Sequence, residues 1–164
     1  MRFHHAGIMI GFLLGSGAVA LAQEGVWDIT GEARYTARYE GRVVHGTLPF
    51  SLETTVASDG HYETTMPPCV GGDPPSVSSG RGTPGSNRFL RGAVGDGIRL
   101  YLTRCGSKGV RVHGIKVRQR PAEDPDAVAG AFAAAVRYTF ESGRETEVVH
   151  ATLRGEYLAT RRAQ

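Results

Sequence analysis

Residues 27–39 read Trp-Asp-Ile-Thr-Gly-Glu-Ala-Arg-Tyr-Thr-Ala-Arg-Tyr, and this stretch decides the fold class. Its odd positions are apolar, aromatic or small, from Trp27 and Ile29 to Ala37 and Tyr39. Its even positions are polar throughout. Successive side chains of a strand point to opposite faces, so the stretch is a strand with one buried and one wetted face. The pattern recurs, broken by glycine turns, as far as Thr160, and predicts an antiparallel all-β domain.

Turn chemistry tests that reading, because the loop length of a hairpin fixes its register. A two-residue loop at Glu40-Gly41 sets Ala37 opposite Val44, Ala33 opposite Leu48 and Ile29 opposite Leu52. A three-residue loop at Ser58-Asp59-Gly60 sets Val56 opposite Tyr62 and Leu52 opposite Met66. The same arithmetic at Gly95-Asp96-Gly97 pairs Val94 with Ile98 and Leu90 with Leu102. At Ser142-Gly143 it pairs Val136 with Val149, Ala134 with Ala151 and Phe132 with Leu153. Every hairpin aligns apolar with apolar, and agreement between local turns and global pattern is what a foldable sequence shows.

The predicted strands are 26–39, 42–57, 61–66, 88–94, 98–104, 109–118, 130–141 and 145–160. In the sixth, apolar parity switches from Val110 and Val112 to Ile115 and Val117, which a bulge at His113-Gly114 explains. Asp126 and the alanines after it could begin a short helix, but the alternation from Phe132 to Phe140 ends it early. Residues 67–87 hold five Pro and five Gly, a composition for a long exposed loop. Eight strands joined by short hairpins predict an eight-stranded antiparallel up-and-down barrel, with a two-sheet β-sandwich as the alternative.

Residues 1–22 are set apart from this domain. Arg2 gives a positive start, an apolar run follows from Ala6 to Leu14, and Ala20-Leu21-Ala22 is an A-x-A cleavage site. The expectation is a cleaved signal peptide and an exported protein, periplasmic or extracellular, with no membrane span once it is removed. Residues 23–164 then form one domain. Cys69 and Cys105 are the only cysteines, and export makes them an expected disulfide. Removing Arg2 takes the formal charge from +3 to +2. Arg residues alternate with acids along the strands rather than clustering, which gives no electrostatic footprint for nucleic acid or an anionic membrane.

Motifs for catalysis are lacking. There is no G-x-S-x-G, and the Ser76–Ser79 run lies in the predicted loop, where nothing would hold a nucleophile. Gly106-Ser107-Lys108-Gly109 opens a strand, not the helix a phosphate cradle needs. His45, His61, His113 and His150 read as outward-facing, with no spacing that converges them on a metal. Glu145 and Glu147 read as a solvated outward pair. No metal and no cofactor are expected, and the chain reads as a non-enzyme.

The inward face mixes large aromatic residues with many Gly and Ala. An eight-stranded barrel of this kind either fills itself or encloses one small ligand. Trp27, Tyr35, Tyr39, Tyr62, Tyr138 and Tyr157 are the candidate ligand-binding residues. Against this stands an ordinary filled core, with the small residues nested against the rings.

Gly25-Val26-Trp27 resembles the G-x-W signature of the lipocalins, eight-stranded barrels that bind small apolar molecules. The chain lacks their T-D-Y element, and no helical pattern follows the last strand. The resemblance implies a ligand-holding barrel in which Arg161 or Arg162 covers Trp27. The leading expectation is therefore an exported binding protein for a small apolar ligand. The alternative is a structural or interaction protein of the cell envelope, with a filled core and a partner-binding loop at 67–87.

Overall fold

The alternating stretch around residues 27–39 lies in β1 (Gly25–Tyr39), which turns at Glu40-Gly41 into β2 (Arg42–Val56). The structure is a computed structural model that describes residues 24–83, 86–142 and 145–163. The predicted signal segment 1–22 and cleavage site lie outside the described residues. Elements continue with β3 (His61–Met66), β4 (Ser76–Arg81), α1 (Phe89–Thr103), β5 (Lys108–Pro121), β6 (Ala127–Ser142) and β7 (Glu145–Arg161). Among the described residues, seven antiparallel strands form one curled half-barrel sheet in the order β4-β3-β2-β1-β7-β6-β5.

The first two hairpins have the registers their turns predict. Ala37 faces Val44, Ala33 faces Leu48, Ile29 faces Leu52, and Val56 faces Tyr62. Glu40 and Gly41 both take positive φ, as a two-residue hairpin loop requires. The β5 bulge is also present. Pairing with β6 slips between His113 and Lys116, and Gly114 has φ of 58°. This extra residue keeps Val112 and Val117 on one face, opposite Val136 and Phe132.

Four expectations need correction. Residues 88–94 and 98–104 are not two strands but one helix, so the described residues form neither an eight-stranded barrel nor a two-sheet sandwich. The reason lies in symmetry about Asp96. Leu90, Val94, Ile98 and Leu102 align as a hairpin around Gly-Asp-Gly, and equally as the i, i+4 stripe of a helix. Gly95 and Gly97 do not turn the chain. They let α1 approach the sheet closely: a Cβ on Gly97 would stand 2.5 Å from Leu52 Cδ1, and one on Gly95 2.5 Å from Ile115 Cδ1. Glycine in a helix costs about 1 kcal/mol against alanine, and burying Phe89, Leu90, Ala93, Val94 and Leu100 offsets it.

The second correction is within residues 67–87, where Ser76–Arg81 form β4 and pair with β3. Its alternate members pack inward: Ser78 is buried and Val77 exposed. The third concerns the β6–β7 register. Val136 faces Ala151, not Val149, and Phe132 faces Gly155, not Leu153. Ser142 pairs with Glu145, which a two-residue Ser142-Gly143 loop does not allow; residues 143 and 144 lie outside the described residues. A slip of two keeps every side chain on its face, so alternation could not detect it. The observed register sets the Phe132 ring over a glycine. The fourth is Glu147 of the expected outward Glu145–Glu147 pair, which shares the inward parity of buried Val149.

Among the described residues β4 and β5 are the outermost strands, and β2 before residue 53 is also unpaired on its far side. The helix lies across the concave side between them, touching β3, β4 and β5 and reaching β2. At its start Phe89 packs on Trp27, ring centroids 5.6 Å apart. At its end the Cys69–Cys105 disulfide ties it to the loop after β3, and Arg104 Nη1 donates to the Pro67 carbonyl at 2.8 Å. The main core is the layer between sheet and helix, with Ile29, Leu52, Met66, Phe89, Leu90 and Phe132 at its centre.

Candidate functional site

Strand alternation sends small and aromatic side chains together onto the concave face, and α1 covers only part of them. Between helix and sheet they leave a cavity of about 290 Å³. Its closed end is buried Ala33, Leu52, Met66, Val94, Phe132 and Val136. Its solvent side is half-buried Leu48 and Phe50 from β2, Tyr138 and Leu153 from β6 and β7, and Ile98, Tyr101 and Leu102 from α1. From residue 52 back to its start, β2 pairs only with β1 among the described residues. Pro49 there costs no ladder hydrogen bond, as expected on an edge.

The lining is apolar except for three phenols, on Tyr35, Tyr101 and Tyr138. Burial pushes the Tyr138 phenol up, and the neighbouring Tyr35 and Tyr39 phenols add to this. Tyr39 closes this end by an edge contact with Phe140, centroids 6.2 Å apart. Glu147 also belongs here. It faces Phe140 across the β6–β7 ladder and shares the inward parity of buried Val149. Its Oε2 is shielded and has no hydrogen-bond partner among the described residues. The expectation of an outward, solvated Glu145–Glu147 pair fails for this residue, because the alternation of β7 turns odd positions inward.

The six sequence candidates divide into two groups. Tyr35 and Tyr138 line the cavity, and Tyr39 packs beside them. Trp27, Tyr62 and Tyr157 are core residues away from it, each 6% exposed or less. Arg161 is the direct cross-strand partner of Trp27, whereas Arg162 forms a bidentate pair with Asp28 at 2.7 and 2.6 Å. The α1 contributors to the cavity, Val94, Gly97, Ile98, Tyr101 and Leu102, were not singled out as site residues, because their segment reads as a hairpin. Their helical spacing was the signal that could have found them.

A second polar feature lies under the helix. The Tyr62 hydroxyl donates to Asp96 Oδ2 at 3.2 Å, and Arg99 donates to Asp96 Oδ1 at 2.7 Å. Arg99 also donates to Ser78. Nearby, buried Thr54 and Thr64 share a hydrogen bond of 3.1 Å. Burial, then the Asp96 carboxylate, pushes the Tyr62 phenol up to about 12. Such a phenol holds its proton, so it fastens helix to sheet and is a poor base. Among the described residues no group of His, Cys, Asp and Glu is arranged to hold a metal ion, and no helix is long and apolar enough to cross a membrane.

Comparison with protein-family models and with curated protein sequences finds no match. The assignment of function therefore rests on the geometry above.

Proposed function

We propose that this protein is an exported, non-enzymatic binding protein that holds one small apolar molecule between the concave sheet and α1. The observation that carries this reading is the apolar cavity of about 290 Å³. Ligand sites are concave, mostly apolar and equipped with a few convergent polar groups. This one offers three phenols for orientation. An engineered apolar cavity of roughly 150 Å³ takes benzene, so the space suits a molecule of bicyclic size or a short acyl chain.

The lipocalin resemblance supports the reading at one point: Arg161 stands beside Trp27 at the head of β1, where that family's covering arginine would be. The expected disulfide and the leader-like residues 1–22 support export. The competing reading is an envelope interaction protein. Its partner-binding segment would then be the free β4 edge and not an irregular 67–87 loop.

Native mass spectrometry of protein purified from its own host, with analysis of a solvent extract, separates the two. A co-purified small apolar molecule released by the extract is the result expected. Clean apo protein carrying a stoichiometric protein partner would overturn the binding-protein reading.

A further inference from the structure

The outward face of the sheet consists of the alternate residues that the core does not use, and the registers decide which become neighbours. Arg38 on β1 lies opposite His150 on β7, His150 opposite Arg137 on β6, and Arg137 opposite Arg111 on β5. The next row reads Thr36, Thr152, Ala135 and His113, with His45 Nδ1 3.0 Å from Thr36 Oγ1 at its β2 end. The third reads Arg34, Arg154, Ala133 and Lys116. Directly opposed residues share a face, about 5 Å apart from strand to strand and about 7 Å from row to row.

No acid stands in these three rows. Glu32 and Glu156 lie one row beyond them, and Glu141, towards the other end of the face, is held by Lys108. The ion pairs among the described residues use Arg81, Arg99, Lys108, Arg161 and Arg162, and no cation of the three rows. Like charges directly opposed on a sheet are destabilising, so the fold gains nothing from this arrangement. Arg38, Arg137, His113 and His150 also ring a shallow depression together with Thr36 and Thr152. Its floor is low because Ala135 has no side chain beyond Cβ.

We propose that this face binds a linear acidic polysaccharide. Guanidinium groups beside hydroxyls and imidazoles match carboxylate or sulfate oxygens. A chain with a charge on each sugar would neutralise several rows at once. The face is convex, so a flat bilayer would meet it only along a line. The three rows contain no Phe, Tyr or Trp ring to serve as a stacking platform for bases of a single-stranded nucleic acid. The proposal is independent of the cavity on the opposite face.

Isothermal titration at low salt with heparin, polygalacturonate, oligo-dT and phosphatidylglycerol-containing vesicles tests it. Both polysaccharides should bind, with affinity falling as salt is raised. The triple variant Arg38→Ser, Lys116→Ser, Arg137→Ser should lose roughly tenfold or more of that affinity. The double variant Arg81→Ser, Arg91→Ser, which removes exposed cations elsewhere, should lose less than about twofold. Circular dichroism confirms that both variants fold. Tighter binding of oligo-dT or vesicles, equal losses in the two variants, or no polysaccharide binding by the wild-type chain would overturn the proposal.

Discussion

The ring of Phe132 covers Gly155, its direct partner on β7. A Cβ at Gly155 would stand 2.7 Å from ring carbons Cε1 and Cζ and 2.4 Å from the Glu32 carbonyl oxygen. The same relationship joins Phe50 with Gly31, Tyr35 with Gly46, Tyr62 with Gly80 and Tyr157 with Gly130, each pair directly cross-strand. Glycine without a side chain lets the sheet bend, and the facing ring refills the gap. These pairs give the half-barrel its curvature while keeping its concave face apolar.

Replacing Gly155 by Ala should therefore destabilise the fold by about 1–3 kcal/mol, as overpacking does. Part of the clash is with backbone, so shortening Phe132 as well should not restore stability. Urea midpoints of the single and double variants provide the check. A loss under about 0.5 kcal/mol, the range of ordinary surface changes, would contradict the pairing.

Alkaline pH should act through two of these same rings. Burial, joined in Tyr62 by the Asp96 carboxylate, raises the Tyr62 and Tyr157 phenols to about 12 from the ordinary value near 10. The folded protein then keeps protons that the unfolded chain releases. Their contribution is complete below pH ~10 and is lost as pH rises towards 12. The loss should reach about 2–4 kcal/mol for the two together after solvent screening. The double variant Tyr62→Phe, Tyr157→Phe should flatten the decline, measured by urea unfolding from pH 9 to 11. An identical decline in both proteins would contradict the assignment.

Breaking the Cys69–Cys105 bond should cost about 4 kcal/mol, the loop-closure entropy for a separation of this size. The effect should be local as well as global. The bond anchors the end of α1 to the loop after β3, so amide exchange should accelerate first near residues 100–105 in the Cys69→Ser, Cys105→Ser protein. Uniform acceleration through β1 and β7 instead would show that the bond does not anchor the helix.

The sheet was legible because alternation and turn residues carry independent information that agrees at Glu40-Gly41 and Ser58-Asp59-Gly60. It was illegible where one symmetry serves two folds. The Leu90-to-Leu102 spacing fits hairpin and helix alike, and glycines that look like a turn are contact points for Leu52 and Ile115. A two-residue slip in β6–β7 left no trace in alternation. Of the site, Tyr35 and Tyr138 were accessible from the inward parity of their strands. The helix side of the cavity was hidden with the helix itself. The expectation that the Arg residues do not cluster fails on the outward face, since Arg38, His150, Arg137 and Arg111 become neighbours only through three registers.

The space between the concave sheet and α1 is the proposed binding site. Titration with the uncharged fluorophore N-phenyl-1-naphthylamine tests it most directly, in the wild-type protein and in a Val136→Phe variant. Val136 is buried and lines the cavity, so the added ring should occupy the space the ligand needs. One saturable site is expected in the wild-type protein and at least about tenfold weaker binding in the variant, a difference of ~1.4 kcal/mol, with the fold retained. No saturable binding by the wild-type protein, or equal binding by both, would contradict the proposal.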